Sequence, residues 1–157
     1  MAKQKINTQP LIRLVSTFFF FGSVPFAPGT VASLAGVFLY AGILNSFIKW
    51  AIAFSIIGIA GFLTAGRYAG KLGKRDPAEI VIDEVWGVLM VFIGVPLDMG
   101  LFITGFLLFR FFDIVKPFPV NKLEKIPGSL GIMFDDLMAG IYANIALRAF
   151  VTFSVAR

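Results

Sequence analysis

The sequence contains neither cysteine nor histidine. That double absence removes structural disulfides, thiolate zinc sites, phosphocysteine and phosphohistidine intermediates, and imidazole acid–base catalysis. Acids are scarce as well: nine Asp and Glu stand against fourteen Lys and Arg, for a formal net charge of +5. Chemistry is therefore left to a few carboxylates, hydroxyls and amines, with or without a bound metal. No Ser-, Gly- or Pro-rich linker, composition shift or internal repeat divides the chain. Residues 1–157 are expected to form a single domain.

What the chain has in excess is apolar side chain. Hydrophobic residues make up 58% of it and the mean hydropathy is +0.88, more than a soluble domain of this size can hide from water. The expected fold is all-α: a polytopic helical membrane protein with four or five short membrane segments and an N-terminal interfacial helix. Apolar runs fall at residues 30–47, 50–65, 85–95, 99–112 and 137–153. Lys49, a polar stretch at 67–83, the Pro96-Leu97-Asp98 break and a polar stretch at 113–134 separate them, and both polar stretches read as loops or interfacial turns. The runs flanking Pro96 hold only about a dozen residues each against roughly 20 for a span, so they form two short helices, one kinked helix or a re-entrant hairpin. Lys3 and Lys5 ahead of an apolar stretch imitate a secretory signal, but Arg13 interrupts that stretch and Pro28 directly follows the candidate small residue Ala27. An uncleaved interfacial helix at residues 11–21 fits better.

Lysine and arginine in short loops stay on the cytoplasmic side of a membrane. With five spans, Lys3, Lys5, Arg13, Arg67, Lys71, Lys74, Arg75, Lys116, Lys122 and Lys125 share one side, whereas Lys49 and Arg157 lie on the other. The N-terminus is thus expected in the cytoplasm. Basic loops between apolar runs also favour anionic lipid over nucleic acid as a partner.

The uncommon residues converge on that face. Helix starts are expected at residues 26–30, 82–84 and 134–136, and the fourth run ends there with Arg110, Asp113 and Lys116. Helix starts offer unpaired N–H groups and partial positive charge, which suit phosphate oxygens and stabilise carboxylates. Thr30, Asp83 and Asp135 are ordinary N-cap types, and capping alone would explain one acid per helix. Asp83-Glu84 and Asp135-Asp136 are adjacent pairs, however, and neighbours on a helix diverge by about 100°, so one member of each pair is left to face inward. Acids gathered at one surface repel unless a cation lies between them. Oxygen donors without His or Cys point to Mg²⁺. The expected ligands are Glu84, Asp113, Asp135 and Asp136, with Asp83 orienting the helix start. Arg110 and Asp113, three apart on one face, form an ion pair or a phosphate clamp. Lys116 is either a snorkelling lysine or a mobile point charge for phosphate.

Four blocks carry a resemblance: Phe21-Gly22-Ser23-Val24-Pro25-Phe26-Ala27-Pro28-Gly29-Thr30-Val31-Ala32-Ser33-Leu34; Ile80-Val81-Ile82-Asp83-Glu84-Val85-Trp86-Gly87; Phe109-Arg110-Phe111-Phe112-Asp113-Ile114-Val115-Lys116-Pro117-Phe118-Pro119; and Gly131-Ile132-Met133-Phe134-Asp135-Asp136-Leu137-Met138-Ala139-Gly140. In this order the chain resembles the phosphatidylglycerophosphatase A family. The resemblance implies a bacterial inner-membrane, multi-pass enzyme that hydrolyses phosphatidylglycerophosphate to phosphatidylglycerol and phosphate with Mg²⁺, its active site facing the cytoplasm. The catalytic group would be Asp83, Glu84, Asp113, Asp135 and Asp136, with Thr30, Ser33, Arg110 and Lys116 binding the substrate phospholipid. Val24, Ala32 and Ser129 stand where the family's pattern has glycine, and none of these departures removes a carboxylate.

Two other functions compete. An ion-coupled transporter needs polar residues near the membrane midplane on discontinuous helices, and the Pro96 break and Arg148 are compatible with that. A metal-dependent lipid phosphotransferase would carry a longer acidic motif along one helix, which this sequence lacks.

Overall fold

The computed structural model describes residues 9–43, 46–96 and 98–155. Lys3, Lys5, Leu97 and Arg157, which entered the topology and orientation arguments above, lie outside the described residues. Among the described residues the fold is entirely helical. It comprises α1 (Gln9–Ser16), a 3-10 turn (Phe21–Ser23), α2 (Pro28–Ile43), α3 (Phe47–Leu72), α4 (Ile82–Val91), α5 (Met99–Val115), α6 (Val120–Leu123) and α7 (Ser129–Val155).

Local chemistry fixes several boundaries. The Ser46 hydroxyl accepts the Lys49 N–H to open α3, and Gly73 closes it in the left-handed region at φ 65°, its N–H returning to carbonyls of the last turn. Asp98 opens α5 by accepting the Leu101 N–H at 2.9 Å. Two helices begin or end outside the limits expected from charge. Arg67 and Lys71 lie within the last turns of α3, where basic side chains complement the helix dipole and reach outward. α7 starts at Ser129 and not near residue 134, so Asp135 and Asp136 sit inside the helix, beyond its first turn.

Two helices, Phe47–Leu72 and Ser129–Phe153, are long and apolar enough to cross a membrane. Along α3, Ile48, Ile52, Ile56, Ile59 and Leu63 form an exposed stripe at helical spacing. The opposite face, with Gly58, Gly61 and Ala65, packs inward. Large apolar residues thus face outward along α3 and small ones face the other helices.

The centre of the molecule is α4, which packs against α7, α2, α3 and α5. Val85, Val88, Leu89 and Val91 are fully buried. Its closest neighbour is α7, at two glycines. A Cβ on Gly87 would stand 2.6 Å from the Asp136 carbonyl oxygen, and a Cβ on Gly140 would collide with the Gly87 carbonyl. The end of α4 lies inside protein, and side chains from three helices satisfy its carbonyls. Trp50 Nε1 donates to Leu89 O at 2.9 Å, Asn144 Nδ2 to Val91 O at 2.6 Å and Arg148 Nη2 to Ile93 O at 2.6 Å, while the Tyr40 hydroxyl donates to Phe92 O. Gly94 turns the chain at φ 67°, against Arg148. Arg148, a residue compatible with a transport pathway, is thus a cap for α4.

Gly140→Ala should force α4 and α7 apart and cost about 1–3 kcal/mol of stability through overpacking. Gly70→Ala, on an exposed helical position with open space around it, should be neutral or stabilising by up to about 1 kcal/mol. Thermal unfolding of both variants in detergent checks the contrast. Equal melting temperatures would remove the close-contact argument.

Candidate active site

The start of α4 places two acids in its first turn, Asp83 and Glu84. Neither caps the helix; the N-cap position is Val81, whose side chain makes no capping bond. Asp136 reaches the same point from α7, one helical turn before Gly140 on the same face. Carboxylate oxygens of Asp83, Glu84 and Asp136 all lie within 4.8 Å of one another. Asp83 and Asp136 are buried, and Glu84 is half-buried. Asp83 Oδ1 and Glu84 Oε2 are buried without a hydrogen-bond partner. Three acids converging with orphaned oxygens is an arrangement that a cation fits, since removing it from water uncompensated is costly. Oxygen-only donors fit a hard divalent ion.

Around this trio stand two cation–acid pairs. Arg110 Nη1 lies 2.7 Å from Asp113 Oδ2, and Asp113 borders Asp136. The pair is close but poorly aligned as a hydrogen bond, so Nη1 is left without an acceptor. Lys116 Nζ donates to Asp135 Oδ2 at 2.8 Å and lies 3.5 Å from Glu124. Burial opposes charge on Lys116, but the hydrogen bond and the nearby acids outweigh it and hold the ammonium pKa above its ordinary value. Lys116 also ends α5 in the left-handed region at φ 46°, a conformation that costs free energy for a residue with a Cβ.

The first turn of α2 forms the third wall. A Cβ on Gly29 would collide with Glu84 Oε1 and stand 3.3 Å from Arg110 Nη1. A side chain here would have to push the ends of Glu84 and Arg110 aside. Thr30 follows in the same turn, half-buried. Ser33, fully buried, donates its hydroxyl to the Gly29 carbonyl at 2.7 Å and so buttresses this turn.

The structure therefore brings together all the residues expected from the sequence, but divides them differently. Asp83 joins Glu84 and Asp136 in the close trio, whereas Asp113 and Asp135 face Arg110 and Lys116. Two acids beside the site lay outside the expected set: Asp76 and Glu124 line a small cleft with Asp135 and Arg75. The sequence signal for Asp76 is the Asp76-Pro77 step just before Ile80.

The sequence matches the phosphatidylglycerophosphatase A family over residues 14–151. The chain belongs to the phosphatidylglycerophosphatase A family. It is 37% identical to the Haemophilus influenzae phosphatidylglycerophosphatase A over 150 residues, covering 93% of this chain and 92% of the relative. The Escherichia coli phosphatidylglycerophosphatase A is 32% identical over 149 residues, 90% of this chain and 84% of that one. A Bacteroides thetaiotaomicron protein provisionally named a phosphatidylinositol-3-phosphatase is 36% identical over 143 residues, 85% of this chain and 89% of that one. No solved structure matches the chain.

Arg110→Lys separates two roles for the guanidinium. A phosphate clamp requires its planar fork, so phosphate release per folded molecule should fall at least about tenfold although charge is kept. An Arg110 that only pairs with Asp113 would show lowered thermal stability with unchanged turnover. Both quantities are read on one purified sample.

Proposed function

We propose that this protein is a Mg²⁺-dependent phosphatase of phosphatidylglycerophosphate, embedded in the bacterial inner membrane by several helices, with its site open to the cytoplasm. The observation that carries this reading is the buried trio Asp83, Glu84 and Asp136 with two orphaned oxygens, set beside Arg110 and the first turn of α2. Family membership supports the reaction class. The clustering of Arg67, Lys71, Lys74, Arg75, Lys116, Lys122 and Lys125 between apolar segments supports the cytoplasmic orientation.

Asp83, Glu84 and Asp136 would hold Mg²⁺, with Asp113 adjacent to them. When bound, the ion supplies positive charge against the phosphoryl oxygens. The terminal phosphate of the substrate carries nearly two negative charges, so the acids need further cationic help to admit it. Arg110 has an N–H of Nη1 available to a phosphate oxygen, and the N–H groups of Gly29 and Thr30 at the start of α2 can receive another. Lys116 balances Asp135 and offers charge at the rim. In hydrolysis an oxygen of water joins phosphorus, the P–O bond to the glycerol carbon's oxygen breaks, and the released alkoxide takes up a proton. Asp113, held by Arg110 next to Asp136, would accept the proton of an attacking water; in the alternative route a carboxylate attacks first and is released by water. A loose phosphoryl-transfer transition state needs chiefly charge neutralisation and alignment, and neither histidine nor cysteine is required for that.

The test is phosphate release from phosphatidylglycerophosphate in sealed, inside-out membrane vesicles. External Mg²⁺ should support turnover there and not in right-side-out vesicles, and Asp83→Asn, Glu84→Gln or Asp136→Asn should each cut it by orders of magnitude in folded protein. Metal-independent release, or near-normal rates in all three variants, would remove the proposal.

A further inference from the structure

Two apolar grooves run along the outside of the helices at different places. One, of about 400 Å³, is formed by Phe47, Ala51, Ile52 and neighbours in the first turns of α3. Its location is beside Trp50, which caps the end of α4 opposite to the acids. The second, of about 340 Å³, lies between α5 and α7 and is lined by Phe112, Pro117, Tyr142, Ile145, Ala146 and Ala149.

The second groove begins next to the candidate active site along the chain on α5 and lies below it on α7. Phe112 precedes Asp113 directly, and Pro117 follows Lys116 directly. On α7, Tyr142 and Ala149 are seven and fourteen residues beyond Asp135, two and four helical turns, and so share its face. At 1.5 Å per residue the α7 wall descends about 10 Å below Asp135 at Tyr142 and about 21 Å at Ala149. The surface it offers is apolar throughout, because the Tyr142 hydroxyl is turned away to donate to the Phe118 carbonyl at 2.9 Å. A polar headgroup has no partner there. A hydrocarbon chain does.

We infer that the groove between α5 and α7 receives one acyl chain of the substrate lipid, with the chain running down the Tyr142–Ala149 face while the phosphate stays against Lys116, Arg110 and the start of α2. This rests on the lipid-phosphatase reading above and deepens it: substrate selection includes chain length, read along α7 and remote from the acids. The groove at the start of α3 lies by the opposite end of α4 and serves as the comparison.

The test uses purified protein in detergent and two phosphatidylglycerophosphates, one dioleoyl and one dihexanoyl. The short chains end well above Ala149. Ala149→Phe closes the lower groove at an exposed position, and Ala146→Trp closes its middle. For the dioleoyl substrate both should raise KM about tenfold with kcat little changed, and Ala149→Phe should leave the dihexanoyl KM as it is in the unaltered protein. Ala51→Trp, in the α3 groove, should alter neither. The inference is overturned if both α7 variants keep the dioleoyl KM within twofold, or if Ala149→Phe weakens the two substrates equally. If the unaltered protein releases phosphate from neither lipid, the phosphatase reading itself falls. Release from both with unchanged KM in the α7 variants removes the groove alone.

Discussion

A ten-residue helix enclosed by its neighbours has to satisfy both of its ends with protein groups, and α4 meets that constraint differently at each end. Its last carbonyls accept from Trp50, Asn144 and Arg148, and from the Tyr40 hydroxyl. Its first turn carries Asp83 and Glu84, acids that suit the positive end of a helix. The first end is closed and the second is chemically open. The four donors at its finish anchor α4 and so fix where its acidic start stands among the other helices. Gly87 and Gly140 then set how near α7 comes, which determines whether Asp136 can stand beside Asp83 and Glu84.

Charge is arranged around that point in layers. Three acids are drawn together within 4.8 Å, and Arg110 and Lys116 hold the next two, Asp113 and Asp135. Without cations such a group repels itself. The cations on α5 are therefore part of the same device as the acids, and they come from adjacent turns so that one helix end places both. The Gly29 approach brings the backbone of α2 against Glu84 and Arg110, adding donors whose charge is fixed by geometry and does not titrate. A phosphate monoester needs both kinds of group: a cation where its oxygens cluster, and directed N–H donors around it.

Much of this was legible in the sequence because the site residues occur in short, dense blocks. Adjacent acid pairs, the Arg110-to-Asp113 spacing and the Pro28-Gly29 turn could each be read locally, and the composition called for lipid. Pairings across the fold could not. Nothing near Tyr40 or Trp50 shows that each will cap a carbonyl about forty or fifty residues away, and although Asn144 and Arg148 suggest a face of the last segment turned to protein or headgroups, nothing near them names Val91 O and Ile93 O as their partners. Charge also misplaced two boundaries. Arg67 and Lys71 seemed to end α3, although long basic side chains can remain on a helix and reach outward. Asp135 and Asp136 seemed to start α7, although that helix begins at Ser129. That second displacement decides the partition of acids: inside a helix, the two side chains point about 100° apart, and one meets Asp83 while the other meets Lys116.

The central claim is that the α4–α7 acids are held together by a divalent cation, and thermal unfolding of the purified protein against Mg²⁺ concentration tests it most directly. A ligand that binds only the folded state adds about 2.7 kcal/mol of stability at a hundred times its dissociation constant. The account predicts a melting temperature that climbs with Mg²⁺ in the unaltered protein, and loses most of that dependence in Asp136→Asn. A melting temperature indifferent to Mg²⁺ in the unaltered protein, or an undiminished rise in Asp136→Asn, would contradict it.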